Sequence, residues 1–345
     1  MRIGVTRREC MFLTAAAGLT VAGTGRLRAQ NGNPLRLSLD GRLEGPSAPF
    51  WVALERGFFK REGLDVSIDM ATQSHESISR VASGTYDLGV GDINQMIRFR
   101  DQNPSAAMKA VFIVNNQPAY AIVGRKSRGI YGPADLDGKK LGLPAQEVAT
   151  AQWPIFAKLN SIDISKITVV NVGMPVREPM LAAGEIDAVT GQAFGTPFTL
   201  RDKGVPAEDI TTMMMSSYGL QLYGNSIFAT TKLMAERPDV LQAFLRGLLA
   251  GLKVAITDPS SAIDAVMRRN NGASRDVELE RLLTVVRYSM MTADVRMNGL
   301  GDIRGPRMDT ALEQLAIGYT FKNKPKVEDI FDARFLPPED DRKIS

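Results

Sequence analysis

The stretch PFWVALERGFFKREGLDV, Pro49 to Val66, decides how the chain is read. Phe50 to Glu55 is an unbroken run of helix-compatible residues, and Gly57, with no Cβ to oppose a positive φ, stands where a helix places its left-handed C′ residue. A second short turn, Phe58 to Glu62, ends at Gly63. Beyond it Val66, Ile68 and Met70 alternate with polar neighbours, the period of a half-buried strand. Helix, double glycine stop and strand make one α/β unit.

Outward from this unit, Leu35 to Leu39 reads as the preceding strand and Asp40 to Ala48 as the loop that joins it to the helix. Ligands of open α/β sheets bind beyond the carboxyl ends of the strands, so this loop and the next, Thr72 to Glu76, are candidate site loops. In the second, Ser74 is placed to cap the helix carrying Ile78, Val81 and Ala82. Further on, ASGTYDLGVGD, Ala82 to Asp92, aligns without gaps on AAGEIDAVTGQ, Ala182 to Gln192. Each copy has a helix end, a glycine stop (Gly84, Gly184), an Asp just before a short apolar strand (Asp87, Asp187) and a Gly-polar close. The spacing predicts one supersecondary unit repeated in two halves.

Between the copies, Lys109 to Val114 and Ala119 to Val123 read as strands around an outward crossing at Asn115-Asn116-Gln117-Pro118, and Gly224 to Thr230 reads as the return. The second half alternates: a turn at Pro133 to Leu136, strand Leu141 to Leu143, helix Val148 to Leu159, strand Ile167 to Val172, helix Arg177 to Ala183 and strand Ala188 to Thr190. A helix opening at Pro238 holds Leu241, Phe244, Leu245, Leu248 and Leu252 on one face until Pro259. Later helices at 262–269, 277–289 and 308–321 are expected to cover the first half, and Met213-Met214-Met215 to be flexible packing rather than a metal site.

The first unit, its two echoed helix-Gly-x-x-Asp-strand elements and GIYGPADLDGKKLGL, Gly129 to Leu143, together resemble the periplasmic solute-binding proteins of the nitrate, sulfonate, taurine and thiamine-pyrimidine-precursor class. The resemblance implies an α/β, two-lobed periplasmic binding protein fold (type II), with two Rossmann-like lobes joined by a two-strand hinge and a small-molecule ligand between them. Residues 1–29 are then a leader, 30–118 and 226–345 lobe I, and 119–225 lobe II. The resemblance also implies a monomer without cofactor, partnered by the permease and ATPase subunits of an ABC importer.

Arg2, Arg7 and Arg8 before an apolar run, Met11 to Gly23, form an export signal, which places the protein in the periplasm after cleavage near Ala29. Thr6 to Leu13 resembles a twin-arginine signal with Cys10 where that pattern usually has Phe, so the Sec route stays open. The leader removes five Arg and one Glu, leaving 37 basic residues (42 less five) and 37 acidic (38 less one). The net charge of +4 falls to about zero, and nucleic-acid binding loses its support. Cys10, the one cysteine, leaves too, which excludes disulfides and thiolate chemistry.

One histidine, His75, and no remaining cysteine give little from which to build an activated nucleophile or metal centre, and no GxSxG, HExxH or phosphate-binding glycine loop is present. The family has enzymatic relatives that make a thiamine pyrimidine or cleave a carbon–sulfur bond, and the resemblance places the pyrimidine makers' His on Ser47. A binding role is therefore expected. Its candidate contacts in lobe I are Ser47, Trp51 as an aromatic wall with Phe50 left to the core, Ser74, His75, Asp92 and Asn94. In lobe II they are Gln146, Glu147 and Thr150 at a helix start, with Gln192 and Phe194 beyond a strand; Tyr223 and Asn225 lie at the return crossing. Glu44, Glu76, Asp92 and Glu147 outnumber Arg42 around these loops, which favours a neutral or nitrogen-bearing ring compound such as a pyrimidine-like heterocycle. The alternatives are a sulfonate, taurine, nitrate or aromatic carboxylate anchored on Arg42 or Arg177, an enzyme of the same fold, or a ligand-loaded sensor partner.

Overall fold

Ten short apolar runs pair into two sheets in the computed structural model, which describes residues 32–344; the leader, its twin-arginine pattern and Cys10 lie outside the described residues. In chain order the strands are β1 (Asn33–Leu39), β2 (Leu64–Met70), β3 (Leu88–Asp92), β4 (Met108–Ile113), β5 (Tyr120–Arg125), β6 (Lys140–Leu143), β7 (Thr168–Asn171), β8 (Ala188–Gln192), β9 (Ile210–Met214) and β10 (Asn225–Thr230). The first sheet has the order β2-β1-β3-β10-β4 and the second β7-β6-β8-β5-β9. In both, three parallel strands are followed by an antiparallel one that has arrived from the other half, β10 in the first and β5 in the second. This is the two-lobed α/β architecture that the echo implies.

The echo itself has a physical cause. Gly84 and Gly184 take φ of 74° and 78°, closing their helices in the left-handed region. Asp87 then accepts a hydrogen bond from the backbone N–H of Arg36 at 2.8 Å, and Asp187 one from Lys140 at 2.9 Å. Each carboxylate ties the entry of its strand to a backbone N–H of the parallel neighbour, in the middle of β1 and at the start of β6, so β3 and β8 enter their sheets in the same way.

Helices α1 (Ala48–Glu55), α2 (Phe58–Arg61), α3 (Ser74–Ala82) and α4 (Ile93–Gln102) belong to the first half, and α5 (Trp153–Leu159), α6 (Arg177–Ala183) and α7 (Thr196–Asp202) to the second. After β10 come α8 (Thr231–Glu236), α9 (Pro238–Thr257), α10 (Pro259–Met267), α11 (Arg275–Val285), α12 (Ala293–Asn298) and α13 (Gly305–Gly318). The opening α1–α2 unit is seated on α9 by glycine. A Cβ on Gly251 would meet Pro49 O at 2.3 Å, and one on Gly247 would meet the Phe59 ring at 2.8 Å. Phe59 in turn stacks on Phe244 at 5.0 Å between centroids.

Four expectations need correction. The return crossing ends before Asn225, because Asn225–Thr230 is β10 and lies within the first sheet, between β3 and the edge strand β4. The helix expected from Val148 begins only at Trp153, with Pro154 in its first turn; the residues before it form tight turns, Glu147 N–H bonding Pro144 O at 3.0 Å. Ser74 does not cap α3, whose N-cap is Gln73. Finally, α13 does not cover the first half alone: Met308, Leu312 and Leu315 share an apolar cluster with Trp153 and Phe156 of α5 as well as with Met96, Ile97 and Met108 of the first half.

Candidate functional site

The carboxyl ends of both sheets face a cavity of about 490 Å³, within the range of small-molecule sites. Its first-lobe wall is built around Asp40, the residue after β1, and Asp92, the last of β3. Ser74 lies between them, donating to Asp40 Oδ2 at 2.6 Å and accepting from the Asp92 N–H at 3.1 Å. Asn225 Nδ2 holds Asp40 from the other side at 3.0 Å. Asp92 accepts from the Gln95 N–H at 2.9 Å, capping α4, and from the Tyr120 hydroxyl. Burial pushes both carboxyls up, each to about 6; the neighbouring Asp92 charge adds to the effect on Asp40, and their hydrogen bonds oppose it. Burial and Asp92 also raise the Tyr120 hydroxyl well above its ordinary value. Asp92 is 1 % exposed and satisfied by protein donors, whereas Asp40 is only partly covered and has no cationic partner among the described residues.

The second-lobe wall is differently balanced. Arg177, at the start of α6, donates Nη1 to Glu147 Oε2 at 2.5 Å and Nε to Glu178 Oε1 at 2.6 Å. Gln192, the last residue of β8, donates to Glu147 Oε1 at 2.9 Å. Burial works against the charge of Arg177, but the two glutamates overcome it and hold the guanidinium above its ordinary value.

Residues of both lobes meet at the rim. Arg281 of α11 donates to the Phe194 carbonyl at 2.8 Å and lies 5.0 Å over the Phe198 ring, while pairing with Glu44 at 3.5 Å and Glu278 at 3.4 Å. Arg201 of α7 pairs with Glu280 of α11 at 2.8 Å. Gln73 and Gln146 meet at 3.4 Å.

Of the residues singled out in the sequence, Ser47, Ser74, Asp92, Gln146, Glu147, Gln192, Phe194 and Asn225 line the cavity. The others do not. Trp51 turns to the core, its indole donating to Ser47 Oγ at 3.2 Å under the Arg269 guanidinium, and Phe50 takes the wall position instead. His75 is exposed on the first turn of α3. Asn94 is buried, donating to the Tyr223 carbonyl at 2.7 Å and Tyr120 Oη at 3.0 Å. Thr150 shares a hydrogen bond with Thr190 at 2.6 Å, and Tyr223 is wholly buried with its hydroxyl accepting from the Arg304 N–H. Sequence reasoning missed Asp40, Glu178 and Arg281 as members of the site. Asp40 stood in a loop already marked as a candidate, but nothing local to Arg281 announces that it reaches the cleft.

The family model described as NMT1/THI5 like matches residues 45–262. The chain is 25% identical over 238 residues to the formylaminopyrimidine-binding protein of Halalkalibacterium halodurans, covering 67% of this chain and 70% of that protein. It is 23% identical over 220 residues to the 4-amino-5-hydroxymethyl-2-methylpyrimidine phosphate synthase of Schizosaccharomyces pombe, covering 61% of this chain and 62% of that protein, less than two thirds of its length. Among solved structures, the periplasmic aliphatic sulphonate binding protein SsuA from Escherichia coli matches with a TM-score of 0.67 and 13% identity over 86% of this chain and 96% of that chain, which shows a shared fold.

Proposed function

We infer the role of this chain from the premise that it belongs to the NMT1/THI5-like family and has the periplasmic-binding-protein fold. The reading we propose is the periplasmic substrate-binding component of an ABC importer. Its cargo is a small nitrogen heterocycle of pyrimidine-like type, held between the lobes by the walls described above. One observation carries this: Asp40 presents a carboxylate to the cavity with no cation paired to it among the described residues. An amine or ring N–H answers that carboxylate with a charge-assisted hydrogen bond, of about 1.5–3 kcal/mol, whereas an anion meets repulsion. The similarity to a formylaminopyrimidine-binding protein supports the same class.

The similarity to a pyrimidine phosphate synthase favours a second reading, an enzyme of this fold. The lining argues against it, because His75 stands outside the cavity and Ser47 occupies the position where the resemblance would put an imidazole. Mass spectrometry of solute released from the purified protein, followed by calorimetric titration of the stripped protein with aminopyrimidines and alkanesulfonates, tests both. Micromolar binding of a heterocycle recovered unchanged is the expected result. Binding of a sulfonate or carboxylate with none of a heterocycle would overturn the ligand class, and recovery of a converted product would favour the enzyme.

A further inference from the structure

Arg177 is the one arginine of the second-lobe wall, and it faces two carboxylates rather than one. The three residues are nearly inaccessible, at 7 % for Arg177 and 5 % for each of Glu147 and Glu178. Their positions are fixed from outside the trio as well. Gln192 holds Glu147, and Thr196 Oγ1 donates to Glu178 Oε1 at 3.3 Å. A Cβ on residue 191 would lie 2.1 Å from Thr196 Oγ1, so Gly191 is what lets this assembly sit against β8. A single glutamate would neutralise the guanidinium; the second leaves the group with a net charge of −1. Buried ion clusters contribute little stability for the desolvation they cost, so a surplus carboxylate in a cavity wall calls for a role in recognition. Nη2 of Arg177 has no protein partner among the described residues.

We propose that Glu147 and Glu178 set the specificity of the cleft by masking Arg177, so that its free N–H reads a neutral acceptor on the solute, a carbonyl or ring nitrogen, and the wall rejects anions. This rests on the reading that the natural solute is not an anion. An anion brought to Nη2 would meet two fixed negative charges at short range in a poorly screened cavity, and the attraction of the Arg177 guanidinium does not offset them. Of the other cations lining the cavity, Arg281 is paired with Glu44 and Glu278, and Arg42 and Lys203 make no hydrogen bond to the trio. A neutral acceptor takes the same hydrogen bond without that repulsion.

The test is calorimetric titration of the wild type, Glu178→Gln, Glu147→Gln, the double variant and the double variant with Arg177→Met. The probes are butanesulfonate and butyrate at pH 7.5, with an aminopyrimidine titrated in parallel and thermal unfolding recorded for each protein. Glu178→Gln keeps its hydrogen bonds, because Oε1 alone accepts, whereas Glu147→Gln turns one of two accepting oxygens into a donor and requires Gln192 to turn; Glu178→Gln by itself suffices if the double variant does not fold. Masking predicts that the anions bind about tenfold more tightly for each carboxylate neutralised, and that the gain disappears with Arg177→Met. Folded Gln variants that gain no anion affinity, beside a wild type that binds the aminopyrimidine, overturn the masking and leave the ligand class standing. A wild type that itself binds butanesulfonate and not the aminopyrimidine overturns both.

Discussion

β3 and β8 occupy the same slot in two sheets of identical strand order, yet β3 ends in Asp92 and β8 in Gln192. Everything before those last residues does the same work twice: the glycine stop, the aspartate that binds the neighbouring strand, and a second glycine, Gly91 or Gly191, that admits a side chain against the strand end. What differs is how acidity is balanced. The first wall leaves Asp40 and Asp92 to hydroxyl, amide and backbone donors and accepts raised carboxyl pKa values, while the second surrounds one guanidinium with two glutamates. A duplicated scaffold therefore carries two electrostatic solutions. The frame residues support the fold, and the residues at its edge are available to discriminate.

The largest expected effect that probes this contrast is Arg177→Met, which strands Glu147 and Glu178 in a buried wall. It should cost about 3–5 kcal/mol in denaturant unfolding, and a loss under about 1 kcal/mol would mean that the trio is not electrostatically coupled. Next comes the pair of glycines. A Cβ at residue 191 meets Thr196 Oγ1 at 2.1 Å, while one at residue 91 meets Phe228 and Ser74 at 3.2 Å. Gly191→Ala should therefore cost about 1–3 kcal/mol and Gly91→Ala less, as thermal unfolding would show; equal losses would erase the difference between the copies.

Asp40→Asn should act in the opposite sense from Arg177→Met. Because the folded-state pKa of Asp40 is raised from 3.8 to about 6, its stabilising contribution is complete below the unfolded value and is lost as pH rises through about 6. Replacing it by a neutral amide should thus stabilise the protein by about 1 kcal/mol at neutral pH and weaken the solute about tenfold. For the wild type the same proton opposes binding of an N–H donor, so affinity should fall by about tenfold per pH unit below about 6, measured by titration across pH 4.5–8. A flat profile would detach Asp40 from the ligand. The smallest effect belongs to His75→Ala, which should change stability by less than about 0.5 kcal/mol and leave the titration unaltered.

How much of this was legible in the sequence follows from the range over which each signal acts. Gly57, Gly63, Gly84 and Gly184 impose their backbone locally, and the α/β unit at the start and the echo were readable from them. The helix expected from Val148 was not, since apolar periodicity continues through Val148 and Ala149 while Pro154 delays the first full turn. Trp51 and Phe50 are neighbours on one helix, and which of them faces the cavity is decided by α9 packing underneath, from about 200 residues away in sequence. Asn94 and Tyr223 carried the right chemistry in the right loops, but the Asn94 amide is consumed by the Tyr223 carbonyl and Tyr120, and the Tyr223 hydroxyl by the Arg304 N–H. Arg281 lies outside every candidate loop and reaches the cleft only because α11 folds back onto Gly45 and Phe194.

The placement of β10 also orders assembly in time. All five strands of the second sheet lie between residues 120 and 214, so that half can close as soon as its own segment exists. The first sheet cannot: β4 has no partner beside β3 until residues 225–230 slide between them. A chain emerging from its N-terminus therefore completes the half it makes second before the half it makes first, with the early strands waiting on a late one. Pulse-labelled hydrogen exchange during refolding would register this as protection of β5 through β9 ahead of β4.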